Sequence, residues 1–218
     1  MANEPMDPRV HYQNSAVAST YDAERFTTLG GRYGHWKEIR AFERALDRAS
    51  GIQRALDVPC GTGRITKVLL DRGLHVTGLD ISLAMMAEAK KKLQQYDGRV
   101  TFVEGDATKL QFPDDTFDIV SCVRLFGHVP GETRIQMLRE FRRVSRRWVL
   151  VNYFDWNPLI RFKRWVKRDV LKTYAGVAYP APQKTMLSEF DEAGLKMDYL
   201  AFGHRYYSEE MYALTSKR

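Results

Sequence analysis

Short apolar runs alternate with amphipathic segments through the middle of the chain. The runs fall at residues 55–58, 75–80, 100–105, 117–123 and 148–154. Between them, apolar residues recur every three or four positions at residues 63–72, 82–95 and 132–145. The runs predict buried strands, and the periodic segments predict helices with one apolar face. Because strands and helices alternate, we expect right-handed crossovers and a parallel sheet with helices on both faces.

The beginning of the chain predicts a helical N-terminal arm over residues 14–48. Four apolar side chains of this arm lie at helical spacing and are expected to pack on the sheet: Trp36, Ile39, Phe42 and Leu46.

The end of the chain predicts a helix at 184–193 and strands at 196–202 and 206–215. Only a short turn at Gly203-His204 separates the two strands, so they are expected to form an antiparallel hairpin.

Residues 155–183 form an insertion between the last parallel strand and the last helix, at the sheet edge where ligands bind. A helix from Pro158 to about Lys172 would place four basic residues on one stripe: Arg161, Arg164, Arg168 and Lys172. The apolar residues Leu159, Phe162, Val166 and Val170 would lie opposite them. Three interpretations stay open: a lid over an acceptor, which we favour, a contact with anionic lipid, and a solvated basic face. The whole chain is expected to be one domain, divided into the arm 14–48, a core 50–154, the insertion 155–183 and the C-terminal part 184–218.

The net charge of +7 on 218 residues is uneven. Between Glu132 and Lys172 there are twelve Lys and Arg against four Asp and Glu, so an anionic partner should meet this region first. The first residues, which lack a basic start and an apolar core, are not expected to be a secretory signal. No apolar run reaches membrane-spanning length, and Cys60 and Cys122 are expected to pack rather than pair. These features predict a cytoplasmic protein. No side chains have metal-ligand spacing, so no metal is predicted.

A glycine turn follows the first strand in Asp57-Val58-Pro59-Cys60-Gly61-Thr62-Gly63. Such a strand, loop and helix can cradle a nucleotide-like ligand, with free N–H groups at the helix start facing it. Asp80 ends the next strand about 20 residues later, where related folds grip ribose hydroxyls. A dinucleotide is disfavoured, because Thr66 replaces the last small residue of that fingerprint and Asp57 would repel a pyrophosphate. A cationic or zwitterionic ligand fits better.

The segment Asp57 to Gly63 resembles motif I of class I S-adenosylmethionine-dependent methyltransferases, with Pro59 where the family pattern often has glycine. Three further matches follow in the family's order: Leu79-Asp80-Ile81-Ser82 with Met85, Glu104-Gly105-Asp106-Ala107, and Phe112 to Val120. The resemblance covers residues 50–154 and is closest to the ubiquinone/menaquinone-biosynthesis-like branch. It implies a Rossmann-like α/β fold with a seven-stranded, mostly parallel sheet whose last strand is antiparallel.

The resemblance also implies S-adenosyl-L-methionine as cofactor. Asp80, Ile81 and Met85 would hold the ribose and one face of the adenine, and Asp106 with Ala107 would meet the adenine amino group. The remaining contacts would come from the loop residues Asp57, Pro59, Gly61, Thr62 and Gly63, and from Tyr21 of the arm, which resembles the residue that closes over the sulfonium. A buried, packing role for Tyr21 is the alternative.

The loop after the fourth strand contains the candidate base His128, since imidazole titrates near neutral pH. The alternative for His128 is an orienting role. Arg124 in the same loop would meet a substrate anion or the cofactor carboxylate, or form a surface ion pair. Asn152 and Tyr153 are expected to line the acceptor pocket.

The predicted function is transfer of a methyl group to O, N or C of a small-molecule acceptor. A lipid or amphiphile at a membrane surface is the second candidate. A nucleic-acid acceptor is less favoured, because the Asn/Asp-Pro-Pro-aromatic tetrad is replaced by Val123-Arg124-Leu125-Phe126. A non-enzymatic, cofactor-binding regulator is the last alternative.

Overall fold

The computed structural model describes residues 28–155, 162, 165, 166, 179–203 and 210–218. The N-terminal half contains α1 (Leu29–Leu46), β1 (Arg54–Asp57), α2 (Arg64–Asp71), β2 (His75–Asp80), α3 (Leu83–Lys92) and β3 (Val100–Glu104). The rest contains β4 (Phe117–Cys122), α4 (Gly131–Val144), β5 (Ser145–Phe154), α5 (Gln183–Glu192), β6 (Leu195–Phe202) and β7 (Glu210–Lys217). Short 3-10 turns lie at Gln94–Tyr96 and Phe126–His128.

The strands form one seven-stranded sheet in the order β3-β2-β1-β4-β5-β7-β6. Neighbouring strands from β3 to β5 are parallel, whereas β7 lies antiparallel between β5 and β6. The predicted Rossmann-like fold with a reversed last strand is therefore confirmed. The chain adds strands on one side of β1 up to β3, and then continues on the other side with β4. The carboxyl ends of β1 and β4 therefore flank the crevice where ligands bind in open α/β sheets.

The sheet separates two apolar layers. On one face, Phe141 of α4 and Phe190 of α5 pack with Val149, Val151 and Tyr153 of β5. On the other face, Phe42 of α1 and Leu69 of α2 pack with Trp148 and Leu150 of the same strand. The alternation along β5 follows from the two-residue period of a strand, and it places helices on both faces as predicted.

Helix α1 begins where Thr28 Oγ1 accepts a hydrogen bond from Gly31 N (3.1 Å). Phe42 and Leu46 are buried in it as expected, but Trp36 is 54% exposed, so the expectation that it packs on the sheet is wrong. At 100° per residue, Trp36 lies about 120° around the helix from Phe42, outside the buried face.

The predictions for the two ends fall partly outside the described residues. The arm before residue 28 and most of the insertion lie there, as do residues 204–209 at the hairpin turn. Among the described residues, no helix is both long and apolar enough to span a bilayer.

Candidate functional site

A cavity of about 250 Å³ lies at the carboxyl edge of the sheet. One wall follows the ends of β1, β2 and β3, and the other consists of the loop after β4 and the first turns of α4. The structure brings six of the predicted site residues together on it: Pro59, Asp80, Ile81, Asp106, Ala107 and His128. The cavity therefore joins the predicted cofactor residues to the candidate base.

Asp80 ends β2 and is only 6% exposed. Its Oδ2 accepts a hydrogen bond from Gly61 N (2.8 Å), and its Oδ1 accepts one from Ser82 N (2.9 Å). Burial raises the pKa of this carboxyl, although the two N–H donors oppose the shift. Each carboxylate oxygen accepts a second hydrogen bond. Asp80 can therefore bind a pair of hydroxyl groups in the cavity while it holds the glycine loop in place.

The glycine loop is fixed by the protein itself. Gly61 N donates to Asp80, and Gly63 N donates to Cys60 O (2.9 Å), so these two N–H groups do not face a ligand as the sequence suggested. Gly63 has φ +82°, and a Cβ there would lie 2.8 Å from Leu93 Cδ1. Glycine is thus required at position 63 for the turn and for the packing of α2 on α3.

Two further predicted cofactor residues, one in the loop and one in α3, are buried. Thr62 is 3% exposed and Met85 is 5% exposed. The Met85 methyl group would be 3.9 Å from a Cβ at Gly61, so Met85 packs against the glycine loop.

Asp57 at the end of β1 is fully buried. Its Oδ2 accepts a hydrogen bond from Thr66 Oγ1 (2.7 Å), and its Oδ1 accepts one from Ser121 Oγ (2.9 Å). Burial raises the pKa of Asp57 to about 7, although both hydroxyl donors oppose the shift. Thr66, which departs from the dinucleotide fingerprint, therefore has a structural role here, because its hydroxyl group donates a hydrogen bond to Asp57.

A pH dependence of stability follows from Asp57. In the unfolded chain this carboxyl ionises near pH 4, whereas in the folded protein it stays protonated until the pH approaches 7. The folded state binds the proton more tightly, so the contribution of Asp57 to stability is lost as pH rises through that window. We expect Asp57→Asn to gain on the order of 2 kcal/mol relative to wild type between about pH 5 and pH 7. Urea denaturation at both pH values measures this, and a difference that stays the same at pH 5 and pH 7 would contradict it.

Asp106 follows β3 and faces the same cavity. Its Oδ1 accepts hydrogen bonds from Thr108 N and Thr108 Oγ1, both at 2.8 Å. These bonds fix the carboxylate beside Ala107, on the same wall of the cavity as Ile81 and Asp80. The two acids therefore give the wall two separate hydrogen-bond acceptors.

His128 lies in the 3-10 turn after β4, where its N–H donates to Leu125 O (2.9 Å). Arg134 of α4 fixes the backbone of this turn, because its Nη1 donates to Val129 O (3.0 Å) and Phe126 O (3.4 Å). Arg134 is itself buried and bound to Glu189. The imidazole side chain is thus partly exposed on a turn with a fixed backbone.

Arg124 does not line the cavity wall. Its Nε donates to Glu38 Oε1 (2.7 Å), and its Nη2 lies 3.1 Å from Glu210 Oε1. Arg64 also binds Glu38 (3.0 Å), so two arginines meet one buried carboxylate. Burial opposes ionisation of Glu38, but its hydrogen bond with His35 and the two arginines outweigh burial and lower its pKa. The guanidinium of Arg124 therefore serves first to join α1 and β7, while Arg64 joins α2 to the same carboxylate of α1. The backbone of Arg124 has φ +63°.

Two predicted pocket residues are fully buried instead. Asn152 Oδ1 accepts from Arg124 N (3.2 Å), and Tyr153 Oη donates to Glu189 Oε2 (2.6 Å). The expectation that they line the acceptor pocket is wrong, because both face packed layers beside the edge. Tyr21 lies outside the described residues.

Sequence reasoning missed the far wall of the cavity. This wall includes Leu125, Val129, Thr133 and Met137. Thr133 and Met137 are four residues apart on α4, so an amphipathic pattern could have placed them on one face but not beside His128.

Comparisons with known proteins agree with this geometry. Residues 55–147 match the family model described as "Methyltransferase domain". The chain is 37% identical over 127 residues to a demethylmenaquinone methyltransferase of Renibacterium salmoninarum, covering 56% of this chain and 50% of that protein. It is 39% identical over 142 residues to the ubiquinone/menaquinone biosynthesis C-methyltransferase UbiE of Paracoccus denitrificans, covering 63% and 54%. The chain thus spans about half the length of the curated relatives it matches.

Solved structures share the fold across nearly the whole chain. Magnesium protoporphyrin IX methyltransferase from Synechocystis with bound SAH has a TM-score of 0.76 at 16% identity, covering 96% of this chain and 98% of that one. The same protein with bound SAM has a TM-score of 0.71 at 17% identity, covering 100% of both chains. The family match and the quinone methyltransferase relatives make the chain similar to class I S-adenosylmethionine-dependent methyltransferases of the ubiquinone/menaquinone-biosynthesis-like branch, and the solved structures show that it shares their fold.

Proposed function

We propose that this chain transfers a methyl group from S-adenosylmethionine to O, N or C of a small-molecule acceptor. The observation that carries the proposal is the single cavity that runs from Asp80 and Asp106 to His128. A cofactor held by the two acids and an acceptor beside the imidazole would share one space, which is what an in-line transfer needs.

The residues of the first wall fit the cofactor. Asp80 keeps acceptor capacity for a ribose diol, and Asp106 is fixed where an amino group of an adenine would donate to it. Ile81 and Ala107 give the apolar surface between these two acids. When bound, S-adenosylmethionine supplies an electrophilic methyl group on a sulfonium.

The far wall suggests the kind of acceptor. Leu125, Val129 and Met137 are apolar, and His128 and Thr133 are the polar groups among them. Such a wall favours an apolar ring that carries a hydroxyl or another proton-bearing group. The printed names of the relatives, which refer to demethylmenaquinone and to ubiquinone and menaquinone biosynthesis, support an acceptor of this amphiphilic type.

The function is tested by release of S-adenosylhomocysteine from purified protein. The acceptor panel contains quinols with short and long apolar tails, simple phenols, amines and lipid head groups. Turnover that is fastest with a quinol or phenol supports the proposal. Tight cofactor binding without turnover on any acceptor would favour the non-enzymatic alternative.

We propose that His128 accepts a proton from the acceptor. His128→Ala should then lower kcat by about 10²-fold while cofactor affinity stays near wild type, because a positioned base contributes on this scale. The control is His75→Ala, which removes an exposed imidazole at the opposite end of β2. Steady-state kinetics across pH separate the roles: a variant that keeps the acidic limb of the wild-type profile would assign His128 to positioning.

The proposed partner is the small-molecule acceptor, together with anionic lipid or an anionic substrate at residues 156–172. Only three residues of that segment are described: Phe162, Trp165 and Val166. We propose no nucleic-acid partner. A cytoplasmic location is supported by Cys60 and Cys122, which are both buried and unpaired, as in a reducing compartment.

A further inference from the structure

Helix α1 has a buried end and an exposed end. Its buried residues begin at Glu38 and continue to Leu46. Before Glu38, three large apolar side chains lie at the surface: Leu29 is 85% exposed, Tyr33 57% and Trp36 54%. Isolated exposed apolar residues are ordinary, but three at helical spacing on one projecting helix end form a patch that indicates an interaction surface.

The patch combines aromatic rings with cations. Tyr33 and Trp36 stack with their centroids 5.9 Å apart. Lys37 Nζ lies 4.6 Å from the Tyr33 ring centroid, and the Arg40 guanidinium lies 5.8 Å from that of Trp36. Each cation is therefore held beside a ring that is itself half exposed to solvent.

A groove beside the patch is basic. It is lined by the cations Lys37, Arg40, Arg44 and Arg72 and by the acids Glu43 and Asp47, which gives a net charge of +2. Arg72 binds both acids, at 3.3 Å from Glu43 and 2.5 Å from Asp47. Arg40 Nη1 also lies 3.9 Å from Glu43 Oε2, so the excess of two positive charges is shared among Lys37, Arg40 and Arg44. Lys37 and Arg40 place part of this excess next to the rings, where an anionic partner would meet it.

The projecting end of α1 lies at the same sheet edge as the cavity. Glu38 binds Arg64, the first residue of α2, and Arg124, which follows β4, and both positions are at the carboxyl edge. Tyr33 precedes Glu38 by five residues and Trp36 precedes it by two, so both lie within about one and a half helical turns of it. The insertion leaves β5 at this edge too, and its described rings Phe162 and Trp165 are 61% and 50% exposed.

Among the described residues, α1 buries no side chain before Glu38, and the composition of this end is unusual for a stable helix. Gly30 and Gly34 lie in it, and a Cβ at either position would meet no atom within 4 Å. Glycine lowers helix stability, and the core gives no compensation before Glu38. A surface that covers the apolar side would supply the missing stabilisation.

We propose that the outer face of α1, formed by Leu29, Tyr33, Trp36, Lys37 and Arg40, docks on an anionic lipid bilayer. Half-exposed Trp and Tyr rings beside basic residues are the side chains that favour the bilayer interface. A second copy of the chain fits less well, because a two-fold contact would bring Lys37 and Arg40 against a surface of the same charge. The docking surface does not depend on which acceptor is methylated.

Flotation of the full chain with vesicles tests the proposal. We expect binding to phosphatidylcholine mixed with phosphatidylglycerol, weak binding to phosphatidylcholine alone, and loss of binding with added salt. Lys37→Gln with Arg40→Gln should weaken binding about 25-fold, from roughly fivefold for each charge near an anionic surface. Tyr33→Ser with Trp36→Ser should weaken it further. Lys90→Gln with Lys91→Gln removes the same charge from the exposed side of α3 and should change little.

A polarity-sensitive thiol dye locates the contact. Since Cys60 and Cys122 are buried, the dye will label Gly30→Cys, or Leu83→Cys on α3 as the control, where Leu83 is 62% exposed. A blue shift with anionic vesicles at position 30 only supports docking through α1. The proposal is overturned if wild type does not bind vesicles, or if the control variants lose as much binding as the α1 variants. A blue shift at position 30 that grows with protein concentration without lipid would also overturn it, in favour of a second copy.

Discussion

Asp80→Ala lowers the affinity of the chain for S-adenosylmethionine by at least tenfold. The carboxylate is buried beside the cavity and can accept from both hydroxyls of a ribose. Each hydrogen bond to a charged group contributes about 1.5–3 kcal/mol, so losing even one exceeds the 1.4 kcal/mol of a tenfold change. The substitution also frees Gly61 N and Ser82 N, which Asp80 now binds. Titration calorimetry measures the affinity directly.

The chain offers a matched control for this prediction. Asp118 at the start of β4 also accepts two backbone hydrogen bonds, from Gln53 N (2.9 Å) and Arg54 N (2.8 Å), but at the opposite edge of the sheet. Asp118→Ala should therefore lower the stability without changing cofactor affinity. Unchanged affinity in a folded Asp80→Ala variant would reject the assignment of Asp80 to the ribose.

The sheet was predictable because its strands carry a local signal. β4 is buried along its whole length and four of its six residues are apolar, and similar apolar runs identified β1, β2 and β5. The bounds are less accurate. β5 begins at Ser145 rather than 148, because the exposed residues Arg146 and Arg147 extend the strand without an apolar pattern.

The first wall of the cavity was predictable because its residues are set by strand ends. In a parallel sheet, the residue after each strand arrives at the same edge, so Asp80 and Asp106 could be placed together from sequence spacing. The orientation of the loop between them was not predictable. Gly61 and Gly63 direct their N–H groups to the protein, and that depends on packing against α3.

Long-range ion pairs left no pattern in the sequence. Arg124 and Glu38 are 86 residues apart, and Arg134 and Glu189 are 55 apart. A lone arginine after a strand looks the same whether it faces a substrate or an internal carboxylate, and only the fold decides between the two. For the same reason, Tyr153 could be placed at the end of β5 but not assigned to Glu189.

The buried pair Arg134–Glu189 joins several parts of the acceptor side. Arg134 Nη2 binds Glu189 Oε1 (2.5 Å), and Arg134 Nη1 donates to Val129 O (3.0 Å) and to Tyr179 O (3.3 Å). Tyr153 Oη donates to the same Glu189 carboxylate. The pair thus ties α4 and α5 to the His128 turn and to the end of the insertion.

Arg134→Met should cost about 3–5 kcal/mol of unfolding free energy, because it leaves the Glu189 carboxylate buried without its cation. Arg134→Met combined with Glu189→Met should recover part of this loss, since an apolar pair needs no compensating charge, while the buried Tyr153 Oη loses its acceptor. The same two helices supply the control: Arg139 and Glu192 pair at 3.0 Å, but both are more than half exposed. Removing that pair should cost less than about 1 kcal/mol. Urea denaturation of these variants and of wild type measures each loss of unfolding free energy. Equal losses for Arg134→Met and Arg139→Met would show that the buried pair does not stabilise this side of the cavity.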